Sequence, residues 1–204
     1  MPTLRCTNDD CGYEWHERSR LAVGSACPRC DSKTEEVTDW DEPPQPSRLA
    51  EAARERRDGR LGFARARARE VREQHHQGGP PVPVREIAVA LGLEVREKPT
   101  LGDLRGRLNG NVIEIPKGDH EWVKRFSIAH EIGHVVLETV HRDGSAAERE
   151  ANAFAGELLI PGGMLREQMQ TETSVEALVR IFHVSRPALK LAAKLHKLDG
   201  QLSP

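Results

Sequence analysis

RFSIAHEIGHVVLE, residues 125–138, sets three titratable groups, His130, Glu131 and His134, among apolar and small neighbours. With the residues before it, Trp122, Phe126, Ala129, Ile132, Gly133, Val136 and Val140 recur at helical spacing. This predicts a largely buried helix with Asp119 as its N-cap. On a helix, positions i and i+4 lie on one face, one turn apart, so both imidazoles can address one point. Glu131 projects roughly 100° around the axis, and Gly133 leaves room for a substrate or a neighbouring backbone.

His-Glu-x-x-His on a helix is the arrangement found in zinc peptidases. The histidines hold the ion, and the glutamate reaches a water on it without being a ligand. A catalytic zinc takes three protein ligands and leaves one position open. The third ligand is expected from SAAEREANAFAGELLIPGGML (145–165), a helix capped by Ser145 and running to Leu159 before Pro161. Glu148 and Asn152 lie one turn apart on one of its faces, continued by Ala155. Glu150 is a rival ligand, although it shares its face with Glu157, which reads as solvated. Glu148 also has a purely structural reading, as the partner of Ser145 in a capping box.

Upstream, VREIAVALGLEV (84–95) reads as a short helix stopped by Gly92 and followed by a strand. LRGRLNGNVIEIP (104–116) alternates around Asn109-Gly110, a two-residue hairpin signal. A small antiparallel sheet is expected, with NVIEI as an edge to which a substrate strand adds. Downstream, TSVEALVRIFHVSRPALKLAAKLHKL (173–198) reads as two short helices around His183-Val184-Ser185. The pair suits either a DNA-binding helix-turn-helix or packing against the metal helix.

The four cysteines, Cys6, Cys11, Cys27 and Cys30, have the spacing C-x4-C-x15-C-x2-C, that of a four-thiolate zinc site. Residues 1–40 therefore read as a zinc ribbon whose metal supplies its folding energy. DEPPQPS (41–47) is a linker. Residues 48–61 form a basic helix that leads into the remaining domain, 62–204; the helical pattern, one helix or two meeting near Gly59, runs on to Gly78-Gly79. Leu49, Ala53, Leu61, Ala64, Ala68 and Val71 give it a thin apolar stripe. His75-His76 reads as a polar helix end.

The chain has 204 residues, 37% hydrophobic and 30% charged, with net charge −2. That total hides −5 over residues 1–42 and +4 over 43–78. The acidic ribbon argues for a basic protein surface as its target more than for DNA. No apolar run approaches a membrane span and no signal-peptide core is present, so a cytoplasmic location with reduced thiols is expected.

RFSIAHEIGH, then EREANAFAGELLIP, then VEALVRIFHVSRPALKLAAKL together resemble the ImmA/IrrE family of metallopeptidases, over residues 62–198. The resemblance implies an α+β fold, mostly helical and gluzincin-like, with a small sheet. It implies zinc held by His130, His134 and Glu148, with Glu131 catalytic and Asn152 behind the ligands. Where many members carry a further histidine, this chain has Glu138. The implied function is regulatory proteolysis of a helix-turn-helix transcriptional repressor. The alternatives are a non-catalytic regulator that sequesters such a repressor, and a DNA-binding regulatory protein. With the ribbon, two zinc ions are expected. The only tyrosine, Tyr13, lies in the ribbon, which leaves His183, with His141 and Arg186 as rivals, to donate to the oxyanion.

Overall fold

The computed structural model describes residues 3–6, 14–16, 34–37, 48–139 and 144–203. The chain divides into two compact units, Met1–Gly59 and Arg60–Pro204. In the first, strand β1 (Thr3–Cys6) is antiparallel to both β2 (Glu14–His16) and β3 (Thr34–Val37), in the order β2-β1-β3. Of the expected four-thiolate site only Cys6, at the end of β1, lies among the described residues; Cys11, Cys27 and Cys30 fall outside them, as do Tyr13 and the linker 41–47.

Helix α1 (Arg48–His75) is unbroken at Gly59, and the expected limit at 61/62 falls inside it. In the second unit its Ala64, Ala68 and Val71 are buried. Small side chains there let the helix approach its neighbours closely. Its end is polar, with the His76 ring hydrogen-bonded to the Gly79 carbonyl at 2.9 Å. Helix α2 (Val84–Ala90) buries Val84, Ile87 and Ala88, and Gly92 at φ 78° turns the chain out of it.

Three strands follow: β4 (Glu94–Lys98), β5 (Arg107–Asn109) and β6 (Val112–Pro116). Their order is β4-β6-β5, with β5 antiparallel and β4 parallel to β6. The sheet is therefore mixed, where an antiparallel one was expected. The Asn109-Gly110 hairpin forms as anticipated, with Gly110 at φ 62°. What the local pattern lacks is the partner on the other side of β6. Ile113 and Ile115 are fully buried, so this most apolar strand takes the centre and β4 fills its free side. NVIEI is consequently not an edge; among the described residues β5 carries the open edge nearest the site. On the opposite face of β6, Glu114 is buried between Arg107 and Lys98, one cation from each flanking strand. The Arg107 hydrogen bond, more than any other contact, holds its carboxyl below the usual range.

Helices α3 (Glu121–Val136) and α4 (Ser145–Leu159) form the centre of the unit, burying Ile128, Ile132, Ala151, Phe154 and Leu158. A Cβ on Gly133 would lie 3.1 Å from Phe154 and 3.3 Å from the Ala151 backbone. The glycine is thus a point of close approach between the two helices. Two expected caps are absent. The N-cap of α3 is His120, without a side-chain bond, because Asp119 instead faces Arg105 at 2.7 Å. The N-cap of α4 is Gly144 at φ 114°; Ser145 is already helical, so no capping box ties up Glu148. Helices α5 (Gly162–Gln168), α6 (Val175–Phe182) and α7 (Arg186–Leu195) complete the core through Leu165, Leu178, Phe182 and Leu189. Ser174 and Ser185 cap the last two by accepting from the Ala177 and Ala188 amides.

Candidate metal centre

His130 and His134 leave α3 on one face, with their Nε2 atoms 3.0 Å apart. Glu148 reaches both from the first turn of α4: Oε2 is 3.3 Å from His130 Nε2 and Oε1 is 3.3 Å from His134 Nε2. Ligand atoms on a tetrahedral zinc shell of ~2.1 Å radius lie about 3.4 Å apart. The three donors therefore fit one ion, and they are the only such cluster among the described residues.

Each imidazole is held from behind. His130 Nδ1 lies 3.0 Å from Asn152 Oδ1. An amide oxygen can only accept, so the His130 proton sits on Nδ1 and the Nε2 lone pair faces the site. His134 Nδ1 lies 2.9 Å from Thr139 Oγ1. Asn152 was expected in this role; Thr139 was not. It reaches His134 because α3 ends in a Schellman motif. The Thr139 amide donates to the His134 carbonyl at 2.9 Å, and the Glu138 amide to that of Val135 at 3.1 Å. Glu138 supplies the required left-handed turn at φ 53°. Position 138 thus has a backbone role here, without a metal ligand's side chain. A glycine would have flagged the turn in the sequence; a glutamate hides it.

Glu131 is 8% exposed and does not belong to the donor cluster. Burial, followed by repulsion from Glu148, pushes its carboxyl up to about 7, against the Leu108 amide, which donates to it and favours the charged form. Burial and the neighbouring His130 likewise hold His134 below the ordinary imidazole range. A divalent ion at the cluster acts the opposite way on Glu131, because it favours the carboxylate. Gly106 lies against this side chain: a Cβ there would sit 3.1 Å from Glu131 Oε1. The lead into β5 is therefore packed directly on the glutamate.

Glu150, the rival ligand, is buried 3.7 Å from Arg60 and takes no part in the cluster. Glu157, read as solvated, is 4% exposed and pairs with Arg69 at 3.2 Å and His196 at 3.3 Å. That face of α4 is covered by α1 and by the segment after α7, a packing that the pattern of α4 alone does not contain. His183 is exposed at the turn between α6 and α7, at φ 52°, and does not line the metal cleft. Arg186 pairs with Glu176, and His141 lies outside the described residues. No described helix is long and apolar enough to cross a membrane.

Residues 88–194, more than half of the chain, match the IrrE N-terminal-like domain, Peptidase_M78. The chain belongs to this family. The match contains all of α3, α4, α5 and α6 and all but the last residue of α7, and with them the cluster and Glu131. No curated protein sequence is significantly similar to the chain. Among solved structures, a Mycobacterium tuberculosis transcriptional regulator is similar at TM-score 0.50 and 19% identity, over 65% of this chain and 48% of that one. The chain spans about half the length of that protein, and at this identity the likeness speaks for the fold alone.

Proposed function

We propose that the protein is a zinc-dependent endopeptidase acting on a regulatory protein, with a helix-turn-helix transcriptional repressor as the substrate class. One observation carries the reading. Three donors converge on one point while a separate carboxylate, Glu131, is buried beside them without joining them. A structural metal site has no use for that carboxylate. Zinc held by His130, His134 and Glu148 would supply Lewis acidity and acidify a water. Glu131 takes the proton of the attacking water and delivers it to the leaving amine. The Leu108 amide and the Gly106 backbone keep its carboxylate oriented for both transfers. Asn152 and Thr139 retain the Nδ1 protons, so both rings stay neutral ligands. An extended substrate chain has the open edge of β5 to add to. The four cysteines of the first unit hold a second, structural zinc in this reading.

The competing reading is a regulator that binds and sequesters its repressor without cutting it. Glu131→Gln separates the two. The amide is nearly isosteric and is no base at neutral pH. Proteolysis should fall by about 10²–10⁴-fold, while elemental analysis still finds two zinc ions. Comparable cleavage by the variant would remove Glu131 from the mechanism. Relief of repression by a variant that no longer cleaves would favour sequestration.

A further inference from the structure

The cluster and Glu131 occupy part of a larger cleft of about 890 Å³, which continues to α7. That volume is near the upper end of ligand-pocket sizes and takes several side chains at once. Six large apolar side chains are exposed among the described residues, and three of them, Trp122, Leu191 and Leu195, line this cleft, at 44%, 60% and 51% exposure. Such a concentration of exposed apolar surface marks a binding face.

The charges along the cleft are equally uneven. On α1, Arg60 and Arg69 pair with Glu150 and Glu157 of α4. Arg65, between them in sequence and on the cleft, has no carboxylate partner among the described residues, and neither has Arg149 on α4. The cleft carboxylates are already committed: Glu148 to the two imidazoles, Glu131 to its place beside them, Glu157 to Arg69 and His196. The unmatched charge is cationic.

We propose that this cleft selects polypeptide segments in which bulky apolar side chains are interspersed with carboxylates. The apolar groups seat against Trp122, Leu191 and Leu195, and the carboxylates pair with Arg65 and Arg149. The apolar lining favours a polypeptide over a nucleic acid, and the arginines favour an acidic one. This deepens the peptidase reading and rests on it for the site's purpose, but its test reads binding separately from cleavage.

The test uses fluorescence anisotropy with full-length Glu131→Gln protein and three short labelled peptides: one patterned in Leu and Glu, one with each Leu replaced by Ser, one with each Glu replaced by Lys. The Leu/Glu peptide should bind about tenfold more tightly than either of the others. Leu191→Asp, at an exposed position that leaves the core intact, should remove about that factor. Arg65→Glu with Arg149→Glu should turn the preference toward the Lys peptide. Equal binding of the three peptides, no binding of any, or an affinity unmoved by Leu191→Asp would overturn the proposal. If the Leu/Glu peptide binds as stated but wild-type protein leaves it uncut, the selection stands and the peptidase reading fails. If all three are cut at equal rates, the reverse holds.

Discussion

The two halves of the metal cluster are built differently. The imidazoles stand on a buried helix, His134 in its last turn, with 16% and 12% of their side chains exposed, and each has a second hydrogen bond that sets its ring. Glu148 stands on the first turn of α4, its side chain 58% exposed, with the two imidazoles as its polar partners. Its helix begins at a glycine without a side-chain cap. One half is held by its own hydrogen bonds; a metal bound here would have to order the other. Ordering a glutamate side chain costs about 1–2 kcal/mol, which is subtracted from what the ligand contributes.

The comparison predicts unequal losses when ligands are removed. His134→Ala should lower zinc affinity well beyond the roughly 10–100-fold typical of supporting residues, and activity should vanish with it. Glu148→Ala should lower affinity by a smaller factor, although activity still falls. Chelator competition on both variants measures the difference. Equal losses would mean that the exposed carboxylate is as well ordered as the rings.

The next test reaches the residues behind the ligands. Thr139→Val is nearly isosteric and buried, and it leaves the His134 Nδ1 proton without an acceptor. Asn152→Leu does the same for His130, but at an exposed position where water can replace the amide oxygen. Zinc affinity should fall toward 100-fold for the first and nearer 10-fold for the second. Thr139→Ser should restore most of it. If Thr139→Val binds zinc like the wild type, the Schellman turn has no part in the site.

This contrast also explains what the sequence made legible. His130, Glu131 and His134 are legible because helical period alone puts two rings on one face and the carboxylate aside. Glu148 needed a family pattern, because spacing within α4 does not exclude Glu150. The burial of Glu150 and Glu157 depends on α1 docking through Ala64, Ala68 and Val71, a stripe too thin to announce what it covers. The parallel pairing of β4 with β6 is likewise non-local, whereas the Asn109-Gly110 hairpin is written in adjacent residues. Thr139 was hidden for a different reason. Its position follows from a left-handed residue, and the residue there is not the expected glycine.

That last feature yields the smallest effect and the sharpest one. Glu138 holds φ 53°, a conformation costing a non-glycine residue roughly 1 kcal/mol or more. Glu138→Gly removes that strain while adding freedom to the unfolded chain. A net gain of up to about 1 kcal/mol is expected, or a rise in Tm of roughly 2–4 °C. Zinc affinity should hold, because the amides of residues 138 and 139 still close the same turn under His134. Glu138→Val, β-branched, should lower both stability and zinc affinity, since it resists the left-handed region and lets Thr139 drift from the ring. Thermal melts and chelator competition on the two variants are sufficient. If the glycine variant loses zinc, the Glu138 carboxylate itself serves the metal, and the fixed half of the cluster is not complete with the two histidines and their supports.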